Sequence, residues 1–382
     1  MTFSEPRTTT RAMIDPTRLC ALRCDFCYYG PDDSFYSVKP IEQQLAEVDA
    51  AVSRGCDSAD VTGGEPLQNP HVAELVKYAV SKGIYPRIIT SLVCNEKTLD
   101  AVLEAGGEHL DFLISMHGAK AETHNAIVHI KGARAMQERR IAKIAARMDY
   151  CCNYVMVEAN QSEMADWVRW LVAQDRRPKV VNFINFNAFG PWLKSQEWID
   201  KGKANVIDPR VAGPVLEEAI DLLEENAVGV NVRYTPMCMM AERHRKNICN
   251  DLHVAFDFGE WDNGFGARTP AADVYRRYSL PLSNRNEEKG QPCASCSHHG
   301  VCGGANRIWH QLAKEKFGVE VLSPIAGPPM NDHWHYRKDN VMGLDPRFNS
   351  AQRAGMMMAA AAGRLEDEII YRAITSESDP HR

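Results

Sequence analysis

Three cysteines within eight residues, Cys20, Cys24 and Cys27, constrain this chain more than any other feature. The spacing C-x3-C-x2-C can turn three thiolates toward one point and leaves a fourth corner without a protein ligand. A structural zinc site closes its tetrahedron with four protein donors. A cubane iron–sulfur cluster is held by thiolates, so a missing fourth ligand leaves one iron open to a substrate or cofactor. The stretch Cys20-Ala21-Leu22-Arg23-Cys24-Asp25-Phe26-Cys27 follows Met13-Ile14-Asp15, read as a short first strand. The open iron would therefore lie just past a strand end.

A second signature, Gly63-Gly64-Glu65-Pro66, ends a strand-like run Ala59-Asp60-Val61-Thr62. Glycines permit close backbone approach, Glu65 can accept hydrogen bonds from an ammonium group, and Pro66 stiffens the turn. An ordinary turn after a strand is the plain alternative. With Phe26 placed just before the last cysteine of the loop, the two motifs in this order resemble the radical S-adenosylmethionine (SAM) enzymes.

The resemblance implies a [4Fe-4S] cluster on Cys20, Cys24 and Cys27, with the open iron binding the amino and carboxylate groups of SAM. It implies reductive cleavage of SAM to a 5′-deoxyadenosyl radical that takes a hydrogen atom from an unactivated carbon; such cofactors carry the hard chemistry while the protein orients them. By the same resemblance Phe26 packs near the adenine, and Gly63, Gly64, Glu65 and Pro66 border the methionine amine. Ser115 and His117, at the end of the fourth strand, meet the ribose or the carboxylate. Asn153 and Asn160 flank the fifth strand; Asn153 is carried as a cofactor contact, although Asn beside a strand also forms turns.

Strand and helix patterns alternate through the first half. Strand-like runs at 59–62, 86–90, 110–116, 154–157 and 180–185 are separated by helix-period segments at 41–54, 71–81, 96–105, 133–146 and 163–173. Such alternation gives a parallel sheet with crossover helices. The expected fold is α/β, a partial (β/α)6 TIM-like barrel over 12–200, with a small irregular Cys-rich C-terminal extension. Parallel α/β barrels carry their chemistry at the C-terminal strand ends, where both motifs fall. A helix at 214–226 and a strand at 229–234 follow.

The extension is read as 228–310, with a helical and loop segment at 311–382. Cys293, Cys296 and Cys302 form C-x2-C-x5-C, with Cys238 and Cys249 upstream. This resembles the SPASM/twitch extension of radical SAM enzymes, which carries auxiliary clusters. The usual pattern continues with a cysteine four positions after the third, where this chain has Asn306. One second [4Fe-4S] auxiliary cluster on Cys238, Cys293, Cys296 and Cys302 is the expectation, and a zinc site is the alternative, since C-x2-C pairs suit zinc. Cys249 is then a competing ligand, a catalytic thiol that returns a hydrogen atom to a substrate radical, or an inert residue. Cys56, Cys94, Cys151 and Cys152 read as core residues. The run His333-Trp334-His335-Tyr336-Arg337 is a candidate pocket wall or a solvated loop.

Twelve cysteines in 382 residues, with no apolar stretch near Met1, point away from a secreted disulfide scaffold and toward a cytoplasmic protein with reduced or metal-bound thiols. The longest apolar run, Met356 to Ala362, is too short to span a bilayer. A net charge of -6 argues against a nucleic-acid groove, which needs clustered Lys and Arg. The expected partners are a small-molecule substrate and an electron donor such as flavodoxin or ferredoxin, with no membrane. The expected reaction is dehydrogenation or epimerisation of a small metabolite in natural-product biosynthesis. The alternatives are maturation of a ribosomally made peptide, sulfur insertion from the auxiliary cluster, and a non-enzymatic metal-bound interaction protein. The early start of the barrel, with no room for a preceding recognition domain, counts against the peptide alternative at this stage.

Overall fold

Seven parallel strands run in strict sequence order across one sheet: β1 (Arg11–Thr17), β2 (Ser58–Gly63), β3 (Tyr85–Thr90), β4 (Asp111–Ser115), β5 (Tyr150–Met156), β6 (Val180–Asn185) and β7 (Gly229–Arg233). The computed structural model describes residues 11–27, 37–53, 56–186, 195–248, 287–318, 320–330 and 335–336. Cys249, His333, Trp334, Arg337 and the expected terminal helix lie outside them. So do the N-terminal arm and most of the irregular stretch 250–292.

Parallel neighbours need crossovers, and helices supply them. These are α1 (Ile41–Ser53), α2 (Val72–Ser81), α3 (Glu96–Gly106), α4 (Ala121–Val128), α5 (Ala133–Ala145), α6 (Met164–Val172), α7 (Gln196–Asn205) and α8 (Pro209–Glu225). The sheet is open, β1 and β7 forming its two edges. This is the α/β partial barrel that the alternation implies. The strand at 229 lies in this sheet, in register with β6 from Val180↔Gly229 to Ile184↔Arg233.

The two faces of the sheet differ. Ile88, Phe112, Ile114, Tyr154, Phe183 and Val230 join helix residues such as Leu75, Leu99, Ile141, Trp167 and Leu216 in one apolar core. On the other face Leu113, Cys151 and Val180 form a small apolar layer. Cys151 and Cys152, adjacent in β5, thus serve opposite faces, and Cys56 joins the main core. Below the small layer lies a buried ionic group. Arg87 reaches Asp60 bidentately, Nε to Oδ1 and Nη2 to Oδ2 at 2.7 Å each, and Arg11 Nη1 stands 3.5 Å from the same carboxylate.

Local starts and stops explain where the sequence reading moves. α8 begins at Pro209, five residues before the expected start, because Asp208 caps it by accepting from Arg210 N at 2.9 Å. Pro209 takes the first helical position, where a missing N–H costs nothing, and Pro214 sits inside the helix. β5 begins at Tyr150, four residues earlier than its apolar run suggested, since Cys151 and Cys152 pair with Leu113 and Ile114 of β4 and are strand residues. α4 and α7 are short elements absent from the sequence reading. A further helix, α9 (Arg307–Phe317), packs on α7: Lys316 Nζ donates to the carbonyls of Lys203 and Val206 at 2.8 and 2.9 Å. No described helix is long and apolar enough to cross a membrane.

Replacing Asp60 by Ala leaves two buried guanidinium groups without their carboxylate. The expected loss is about 3–5 kcal/mol, read as a lower urea midpoint at unchanged slope.

Candidate cluster and cofactor site

The cysteine loop begins where β1 ends, and the second motif holds it there. Gly64 N donates to Thr17 O and Glu65 N to Leu19 O, both at 2.8 Å. These bonds carry the β1–β2 pairing past the last registered pair, Thr17↔Gly63. The glycines are needed for that approach. A Cβ at Gly64 would stand 2.4 Å from Leu19 O, and one at Gly63, whose φ is 118°, would stand 2.5 Å from Thr17 O. Close approach was expected toward a ligand; the structure directs it toward the cysteine loop.

Glu65 is held within the chain. It is 1% exposed, and its carboxylate accepts from four donors. Oε1 accepts from Leu67 N at 3.1 Å and Thr90 Oγ1 at 2.5 Å; Oε2 accepts from Ser91 N at 2.7 Å and from Ser91 Oγ. An ionised carboxylate has about four acceptor positions, and these donors make the side chain a tie between β2 and the end of β3. Burial raises its pKa, and the donors from Ser91 and Thr90 oppose that rise. Pro66 is buried at the first position of a short 3-10 turn, Pro66–Gln68.

Other contacts close around the loop. Ala21 N donates to Gln68 Oε1 at 3.0 Å. Arg23 N and Asp25 N donate to Val128 O and Ile127 O at 3.2 Å each, at the end of α4. Asn205 Nδ2, on α7, donates to Asp25 O at 2.9 Å. The three thiols are partly buried, and Cys27 stands close enough to add to the raised pKa of both Cys20 and Cys24. Burial pushes Cys20 up to about 12 and Cys24 well above the thiol range. Thiolates this desolvated need a cation, which fits the donor set to an iron–sulfur cluster.

Phe26 and His117 face each other edge to face, ring centroids 4.7 Å apart. His117 is buried, and its Nδ1 accepts from Val155 N at 3.0 Å, so the neutral ring carries its proton on Nε2. Burial, then the neighbouring His124, holds its pKa well below the usual value. His124 in turn accepts from His117 N through Nδ1 at 3.0 Å. Its Nε2 is buried without a partner among the described residues.

Ser115 and Asn153 are half-buried and in direct register. Register continues through Asn153↔Asn182 and Asn182↔Asn231. Asn231 Nδ2 donates to Asn182 Oδ1 at 3.0 Å, and Asn182 Nδ2 to Asn153 Oδ1 at 2.8 Å. This amide ladder orients the Asn153 amide, whose own N–H2 has no acceptor among the described residues. Sequence reading singled out Asn153 alone; the matching strand positions of Asn182 and Asn231 were the available signal. Asn160 is held within the chain, its Oδ1 accepting from Val157 N and its Nδ2 donating to His117 O and Val155 O.

Cys238, Cys293, Cys296 and Cys302 line one pocket. Cys238 follows the C-terminal end of β7 as Cys20 follows that of β1, so the parallel sheet delivers both cysteine sets to one end. No group of three or more His, Cys, Asp or Glu among the described residues is arranged for a single metal ion. A structural zinc site needs four donors converging on one point, and a cubane is held by thiolates spread over its irons. Asn306, at the position of the missing cysteine, caps α9 by accepting from Trp309 N at 2.9 Å. No disulfide joins the described cysteines.

Residues 14–171 match the Radical SAM superfamily. PqqA peptide cyclase of Methylocella silvestris is 25% identical over 189 residues, 47% of this chain and 48% of the relative. That of Bradyrhizobium diazoefficiens is 25% identical over 224 residues, 56% and 53% of the two chains. The chain thus spans about half the length of the curated relatives it matches. Among solved structures, SuiB of Streptococcus suis bound to its precursor peptide SuiA is similar in fold, with a TM-score of 0.51 at 14% identity over 77% of this chain and 70% of that one. The anSMEcpe protein with bound AdoMet has a TM-score of 0.52 at 14% identity, covering 92% and 99%.

Two outcomes are expected. Gly64→Ala displaces the cysteine loop, so reconstituted protein loses the iron held by Cys20, Cys24 and Cys27 relative to the parent, as an iron and sulfide count reads. Burial, then Arg134, lowers the His124 pKa from 6.5 to about 4. The neutral ring favours the folded state, a contribution complete above pH 6.5 and lost as pH falls toward 4. The unfolding free energy from urea titrations should therefore drop across that window by up to about 3 kcal/mol, and less in His124→Gln.

Proposed function

From the radical SAM domain that the chain carries at residues 14–171, we propose an enzyme that modifies a peptide by hydrogen abstraction. Bound at Cys20, Cys24 and Cys27, the cluster and SAM would supply a one-electron reduction and a 5′-deoxyadenosyl radical. The chain's own residues hold the loop, wall it with Phe26 and His117, and present a neutral donor at Asn153. Cys238, Cys293, Cys296 and Cys302 would hold an auxiliary [4Fe-4S] cluster that takes up an electron from the substrate radical.

The observation that carries the peptide reading is the sequence match to peptide cyclases across about half the chain. It moves the substrate from the small metabolite expected at first to a peptide. Epimerisation through Cys249 has no comparable support.

The test is anaerobic. With SAM and a chemical reductant, the reconstituted protein should form 5′-deoxyadenosine, and Cys24→Ala should form none. Incubation with a peptide library should yield a peptide lighter by two hydrogens in step with 5′-deoxyadenosine. Coupling to small metabolites alone would sink the peptide reading.

A further inference from the structure

We propose that the segment 322–325 is a strap that sets the reduction potential of the auxiliary cluster through backbone N–H groups aimed at its cysteine sulfurs, as Ile325 N is at Cys296 Sγ, 3.3 Å away. The inference rests on the reading that Cys238, Cys293, Cys296 and Cys302 hold a cluster.

The sequence here is Leu322-Ser323-Pro324-Ile325, running on to Ala326-Gly327-Pro328-Pro329. The Ile325 amide donates to Cys296, and the Ser323 amide lies near enough to Cys238 to pull its thiol pKa down against the effect of burial. The two donors are two residues apart, as in an extended segment that turns alternate N–H groups to one side. Between them stands Pro324, which has no N–H to leave unpaired. Leu322 is buried, and it lines the pocket with Ser323 and Ile325. Ser323 and Pro324 are exposed on the outside. The strap therefore stands between solvent and the sulfurs.

Its position is fixed from several sides. Ser297 N, next to Cys296, donates to Ile325 O at 2.8 Å, and Met330 N donates back to Ser297 O at 2.7 Å. Leu322 N donates to Glu320 Oε1 at 3.0 Å, and that carboxylate also holds His310 Nε2 at 2.6 Å. Hydrogen bonds to cluster sulfurs and exclusion of solvent are among the factors that set cluster potentials. An N–H dipole pointed at a thiolate favours the more negative, reduced cluster, so both donors raise the potential and make the cluster a better electron acceptor.

The test uses the full chain carrying Cys20→Ala, Cys24→Ala and Cys27→Ala, in which only the auxiliary cluster can form. Iron and sulfide are counted, and the potential is measured by a redox titration followed by electron paramagnetic resonance. Replacing Ile325 by its α-hydroxy acid converts the amide to an ester and removes one N–H. Ile325→Pro removes the same N–H, and Ile325→Val keeps it. The expected result is unchanged iron with a lower potential for the ester and a parental potential for Ile325→Val. If Ile325→Pro fails to load iron, the ester variant decides. Unchanged potential in an iron-loaded ester variant overturns the strap alone. Absence of iron and sulfide from the parent background overturns the cluster reading, and the strap with it.

Discussion

Two backbone hydrogen bonds, from Gly64 to Thr17 and from Glu65 to Leu19, fix where the chemistry of this chain can happen. They prolong strand pairing into a loop that would otherwise have no regular partner. The loop then meets Ile127, Val128 and Asn205 from further elements, and Phe26 meets His117. A residue with a side chain at position 64 would place carbon where a carbonyl oxygen already is. The Gly-Gly pair is therefore a requirement of backbone against backbone, and the ligand benefits from it at second hand.

Polar groups on the buried face of the sheet are arranged in rows. The Arg11–Asp60–Arg87 group lies toward the strand N-termini. The Leu113, Cys151 and Val180 layer separates it from the Ser115, Asn153, Asn182 and Asn231 row. This ionic group thus lies toward the strand N-termini and the row of neutral amides toward the end bearing the cysteines. Buried polar groups are tolerated only when paired, and the ladder pairs its members while leaving one donor outward.

The fold was legible in the sequence because alternation of strand and helix leaves few topologies, and the cysteine spacing located its working end. Boundaries moved where a cap outweighed periodicity, as Asp208 did at α8, and where cysteines stood in a strand, as at Cys151 and Cys152. The side-chain role of Glu65 was not legible. Its four donors come from Leu67, Thr90 and Ser91, and the three supplied by Thr90 and Ser91 at the end of β3 lie 25 or 26 positions away. Nor was the amide ladder, since three asparagines on three strands acquire meaning only from register. The absence of a cysteine at 306 was plain in the sequence, but what Asn306 does there, capping a helix, needed the structure.

The bond from Gly64 to Thr17 also bears on the order in which the molecule can be built. The three thiols are presented together only after β1 and β2 have come into register, which requires the whole α1 crossover to be in place. A nascent or damaged chain with that pairing undone offers three scattered cysteines to the iron supply. Metal capture and strand pairing are then one linked equilibrium: each favours the other, and an unloaded chain is also a less firmly closed one. Loading becomes a reporter of folding at the sheet's first edge, long before any substrate arrives.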